Sequence, residues 1–141
     1  MSKTIAQIVT DALTLIGVVA DGRSASPFQA QQGAYVLNDN ILTQQRDGWS
    51  LGWYPVTTPA TIAPLRDEDI ADVTYCLAAW LAPRNGVTIA PAPDPNDESN
   101  LSVQIKGAFR RLNKRSLKYT DCDLGELSRP QGGPWGGPNW L

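Results

Sequence analysis

Residues 26–49 read SPFQAQQGAYVLNDNILTQQRDGW, and this one stretch sets the fold class. Ser26 supplies a helix cap, Pro27 a first-turn residue that has no N–H to leave unpaired, and Gln29 the capping-box partner, so a helix is predicted from here to about Trp49. Phe28, Tyr35, Leu42 and Trp49 stand seven apart, flanked by Ala30, Ala34, Leu37 and Ile41, which makes an apolar arc wide enough for a core and a second contact. The rest of the helix is rich in amides: Gln29, Gln31, Gln32, Asn38, Asn40, Gln44 and Gln45 offer hydrogen bonds without charge repulsion. Such a face suits a repeated subunit boundary, and it also suits plain solvation, which is the commoner case.

On either side of this stretch the pattern stays helical. Thr4 and Gln7 form a capping-box signature, after which Ile5, Ile8, Val9, Ala12, Leu13 and Ile16 recur at helical spacing until Gly17. Residues 50–64, SLGWYPVTTPATIAP, carry β-branched and aromatic residues but three prolines, and so predict at most edge strands within an irregular excursion. Asp67, Glu68 and Asp69 favour a helix N-terminus, and Ile70, Val73, Leu77, Trp80 and Leu81 form a third stripe that ends near Pro83 or Gly86. A proline-rich loop follows, and Asp94 and Pro95 predict the start of a fourth helix running to roughly Lys118. The expected architecture is all-α: a bundle of about four helices over residues 1–118, with an irregular Pro-rich loop and an extended C-terminal arm over residues 119–141.

Charge divides unevenly along the chain. The net value is −2, but acids dominate the first hundred residues and bases the remainder. Lys106, Arg110, Lys114 and Lys118 fall four apart on one face of the fourth helix, beside Arg111 and Arg115, with no acid between Asn100 and Thr120. Six cations can neutralise phosphates, meet an acidic protein surface, or simply be solvated. The side chains among them, Leu112, Asn113, Ser116 and Leu117, do not include the stacking groups that nucleic-acid recognition usually adds.

Catalytic chemistry finds little footing. The chain has no histidine, no nucleophile elbow, no Gly-rich phosphate loop and no metal-ligand spacing, and neither of its two cysteines sits in a CxxC pair. No cofactor or metal is expected. Asp67, Glu68, Asp69 and Asp72 contain the two carboxylates a glycosidase needs, but helix capping is the simpler expectation for them. The first helix carries Gln7 and Asp11 in its apolar run, which predicts neither a signal peptide nor a membrane span, and both thiols suit a reducing cytoplasm.

The last thirteen residues, RPQGGPWGGPNWL, hold four glycines and three prolines together with Trp135 and Trp140. That composition denies helix and ladder hydrogen bonding, so no local structure covers the two indoles. Pro134, Trp135, Pro138, Trp140 and Leu141 are therefore the expected partner-binding residues of an arm that anchors on a neighbour.

Taken in order, a short helix closing LTLIG, a long helix reading VLNDNILTQQRDGW, a loop, YCLAAWLAPRNG, a basic helix and an extended tail resemble the head-to-tail adaptor of short-tailed phages, also called the packaged DNA stabilisation or head completion protein. The likeness covers about residues 5–118. Its most specific parts are Leu37 to Trp49, with Asp47, Gly48 and Trp49 closing the helix, and Leu77 to Gly86, with Leu81, Pro83 and Gly86 at the turn. The resemblance implies a virion protein of the head-tail junction, assembled in the host cytoplasm as a ring, commonly twelve-membered, under the portal after packaging. Such a ring binds the portal protein, its own copies and tail proteins, and passes double-stranded DNA through its channel. It implies no enzymatic activity and no membrane. The competing expectation is a cytoplasmic helical nucleic-acid-binding module that uses the basic fourth helix.

Overall fold

The computed structural model describes residues 2–127, with the side chains of the last helix described as far as Ser116. Four α-helices make the body, and among the described residues there is no β-strand: α1 (Ile5–Leu15), α2 (Pro27–Arg46), α3 (Asp67–Leu81) and α4 (Leu101–Leu127), with a 3₁₀ turn at Pro83–Asn85. The chain is the small all-α bundle that its periodicity predicts.

Both capping boxes form. Thr4 Oγ1 accepts from the Gln7 N–H at 3.2 Å while Gln7 Oε1 accepts from the Thr4 N–H at 2.9 Å, and Ser26 and Gln29 repeat the exchange at α2. The resemblance-bearing residues close elements. Asp47 caps α2, Gly48 follows with φ 134°, and Gly86 ends the 3₁₀ turn opened by Pro83 with φ 68°, a left-handed conformation that favours glycine. Leu37, Trp49, Leu77 and Leu81 are buried in the common core.

Helix α3 sits centrally, packed on α1, α2 and α4. Ile8, Val9, Leu13, Leu37, Ile41, Val73, Leu77, Ala108 and Leu112 fill the space between them. Where α1 crosses α2 the backbones approach closely, because a Cβ on Gly33 would collide with both methyl groups of Val9. At the other end of α2, Trp49, Trp80 and Phe109 form a triangle with ring centroids 5.9 to 6.2 Å apart, and Trp49 Nε1 donates to Asn113 Oδ1 at 2.5 Å. This triangle joins the ends of α2 and α3 to the middle of α4.

Two boundaries differ from the sequence expectation. α4 begins at Leu101 and not at Asp94, because Asp94, Asp97 and Asn100 each use a side-chain oxygen to hold a backbone N–H two residues on. These local turns compete with helix until Asn100 caps it. At its other end the α4 backbone continues through Lys118 to Leu127, so helix occupies the first part of the segment expected to be an extended arm.

Residues 50–65 are irregular, as their prolines predict, yet they are tied down along their length. The segment runs back along α2, burying Leu51, Trp53 and Val56, and then reaches the start of α1. There the Thr61 and Pro59 carbonyls accept from the Ile5 and Ala6 N–H groups at 3.0 and 2.9 Å, satisfying two donors that have no partner within a helix's first turn. The only strand-like feature among the described residues is one antiparallel bridge between Thr4 and Ile62.

Candidate functional site

The basic face of α4 divides in two. Arg111 and Arg115 pair with two acids on α3, Arg115 with 24% of its side chain exposed and Arg111 with 52%. Arg115 Nε donates to Asp69 Oδ1 at 2.9 Å and its terminal nitrogen to Asp72 Oδ2 at 2.6 Å, while Arg111 Nε donates to Asp72 Oδ1 at 2.9 Å. Arg66 Nε donates to the remaining oxygen, Asp69 Oδ2, at 3.0 Å. All four carboxylate oxygens thus accept from a guanidinium, which supplies the hydrogen-bond partners that Asp69 needs with none of its side chain exposed. Partial burial lowers the pKa of Arg115, but the hydrogen bond to Asp72 and the charges of Asp69 and Asp72 outweigh it, and the net shift is upward.

This corrects the expectation that the acids at residues 67–72 serve only as helix capping. Asp67, Glu68 and Asp69 do occupy the first turn of α3, but Asp69 and Asp72 also bind α4. It also locates an acidic surface that part of the basic helix meets, and that surface lies in the same chain. The sequence contained a signal: Asp69 and Asp72 precede Val73 and Cys76 by four, so they share the buried face of α3.

Lys106, Arg110 and Lys114 remain exposed, four apart on the outer side of α4. Lys118 continues that spacing on the backbone, but its side chain lies outside the described residues. Lys106, Arg110 and Arg111 also border a groove of about 850 Å³ between α4 and the 87–100 loop, opposite Tyr75, Pro91 and Asn96. Its walls mix both charges, since Glu98 also lines it. Among the described residues no three His, Cys, Asp or Glu side chains gather as a metal site, and no helix is long and apolar enough to cross a membrane.

The amide face of α2 has an unanticipated partner. Gln45 Oε1 accepts from the Trp53 N–H at 2.8 Å and its Nε2 donates to the Trp53 carbonyl at 3.1 Å. One heptad back, Asn38 Oδ1 accepts from the Val56 N–H at 3.0 Å and from Trp53 Nε1 at 2.9 Å, while its Nδ2 donates to the Val56 carbonyl. Another heptad back, Gln31 Nε2 donates to the Thr57 carbonyl at 3.1 Å. Seven helical residues rise about 10.5 Å and three extended residues span about 10 Å, so Gln45 and Asn38 meet Trp53 and Val56 in register. These amides are therefore neither simply solvated nor reserved for another subunit. Their spacing of seven was the legible signal; their target was not, because nothing local fixes where the proline-broken segment lies.

The heptad beside them behaves differently again. Trp49 is buried, but Phe28 is 70%, Tyr35 56% and Leu42 38% exposed. These three form a stripe about 21 Å long on the outer face of α2. Of the arc expected to serve core and second contact, Ala30, Ala34, Leu37 and Ile41 make the core, and the stripe has no cover among the described residues. Pro134, Trp135, Pro138, Trp140 and Leu141 lie outside the described residues, as does the side chain of Cys122. No protein-family model matches the chain, and no curated protein matches it.

Proposed function

We propose that the chain is a head-to-tail adaptor of a short-tailed phage, assembling as a ring under the portal, continuing the DNA channel and presenting a platform to tail proteins. The observation that carries this reading is the Phe28, Tyr35 and Leu42 stripe: a short helical body with its core already complete still displays a row of large apolar side chains at heptad spacing. A monomer gains nothing from that row, whereas a ring buries it at every subunit boundary. The order of elements, the closing motifs at Asp47–Trp49 and Leu81–Gly86, and the basic outer row of α4 support the same reading.

The Lys106, Arg110 and Lys114 row favours one alternative, a nucleic-acid-binding module. Pairing of Arg111 and Arg115 with Asp69 and Asp72 neutralises part of that face, and three of its cations among the described residues carry no such pair. Sedimentation separates the two. An adaptor sediments as a monomer or weak oligomer alone and joins a large ring when mixed with the portal encoded by the same phage genome. A nucleic-acid-binding module retards duplex DNA by itself, with affinity falling on salt at a log–log slope of about −2.7 for three phosphate contacts. DNA retardation alone, with no portal binding, would overturn the adaptor.

A further inference from the structure

Two features complement each other. One is the exposed stripe on α2; the other is a tail with two indoles that its own glycines and prolines cannot cover. We infer that residues 129–141 of one copy lie across the Phe28, Tyr35 and Leu42 stripe of a second copy, with Trp135 and Trp140 seated between those three side chains. The inference rests on the assembly reading above and names the contact that builds the ring.

The chemistry matches on both sides. Proline-rich chain pre-set in an extended form docks on rows of aromatic side chains, because its rings stack on them and little backbone entropy remains to be lost. Phe28 and Tyr35 supply such a row, with the exposed amide of Gln32 beside it as a donor for peptide carbonyls. Dimensions agree as well. Five residues of polyproline-like chain separate Trp135 from Trp140 by about 15 Å, which fits within the 21 Å stripe.

The end of α4 sets where the tail begins. Ser116 Oγ accepts from the Ser50 N–H at 3.0 Å, just past the end of α2. From there the α4 backbone continues for eleven residues to Leu127, about 16 Å of helix. A second copy is the occupant because every copy carries both the stripe and the tail, so each can seat a neighbour's tail while offering its own.

The test uses the full chain with a benzophenone side chain at position 135, in an equal mixture of light- and heavy-isotope protein, without portal. Irradiation is expected to join light to heavy chains at residues 28–42, with yield rising with concentration. Introducing F28S together with Y35S should cut that yield about tenfold or more and leave the melting temperature unchanged, since both side chains are exposed. Products confined to single chains at every dilution, products mapping to another surface, a yield unaffected by the two serines, or no mixed product at the highest soluble concentration would each overturn the inference. Because no portal is present, failure here leaves the adaptor reading standing, and failure of portal binding leaves this contact standing.

Discussion

Two seams close this bundle, and they are made of different chemistry. Along α2, three neutral amides hold an irregular strap by its peptide groups; between α3 and α4, two carboxylates meet three guanidinium groups. An amide carries a donor and an acceptor together, so one Asn38 satisfies both the N–H and the carbonyl of Val56, much as a neighbouring strand would. A carboxylate only accepts and a guanidinium only donates, so the second seam selects side chains and fixes the register of one helix against the other. The amide seam substitutes for a missing sheet, and the ionic seam aligns two regular elements.

The sharpest way to break the amide seam is Asn38→Ala. Val56 would lose partners for two buried backbone groups and Trp53 one for its indole, and at about 1–3 kcal/mol per orphaned group, part of it recovered by water, the expected loss is about 4 kcal/mol. Urea unfolding monitored by tryptophan fluorescence measures it. If the change costs less than about 1 kcal/mol, the strap is not held by Asn38.

At the ionic seam, Asp69→Asn should cost about 2 kcal/mol, because Arg115 and Arg66 then face a neutral group, although their own side chains, 24% and 40% exposed, regain part of the loss from water. Replacing the pair jointly, D69M with R115M, removes the unpaired Arg115 charge but leaves Asp72 with Arg111 alone and Arg66 without Asp69, so it should recover about 1 kcal/mol and not the whole loss. The same chemistry on α2 offers no such rescue, since the partners there are backbone. A double variant as damaged as the single one would mean that the seam supplies net stability and not only alignment.

A finer probe lies at Cys76, on α3 beside the ionic seam. Burial, then the charge of Asp72, pushes its thiol pKa up, with Arg111 opposing. The folded pKa lies above the unfolded value, so this contribution is complete below the unfolded pKa and is lost as pH rises. Stability should therefore fall above about pH 9 by up to about 1.4 kcal/mol per pH unit, a slope that Cys76→Ala removes. Melting curves of both proteins between pH 8 and 10.5 decide it; parallel curves would place the thiol in contact with water.

The smallest effect on folding is expected from charge reversal at Arg110 and Lys114, within about 0.5 kcal/mol, since neither side chain takes part in either seam. Any larger consequence should appear in assembly, as salt-dependent weakening of ring formation measured by sedimentation. A variant that assembles normally and loses only DNA retention would assign this row to the channel.

What the sequence made legible follows from the range of the interactions involved. Capping boxes at Thr4 and Ser26 and the apolar stripes act within a turn or two, and the helices form where they predict. The fourth helix starts late because Asp94 and Pro95 imitate an N-terminus while Asp94, Asp97 and Asn100 hold successive turns, a competition among local bonds that spacing does not resolve. The ionic seam joins positions 43 and 46 residues apart, and the strap meets α2 through backbone groups that every residue possesses. Neither can be read from one segment alone. The basic face illustrates the difference: its spacing was visible, but which two of its members pair with α3 depended on acids in another helix.

Because Gln45, Asn38 and Gln31 grip peptide groups, the strap's outward side chains carry no part of its attachment. Tyr54, Pro55, Thr57 and Thr58 are exposed, whereas Trp53 and Val56 point inward. The strap is thus a rewritable surface clamped to a fixed mount: evolution or an engineer can exchange those outward positions, or graft a short recognition sequence onto them, while the helices beneath keep their alignment.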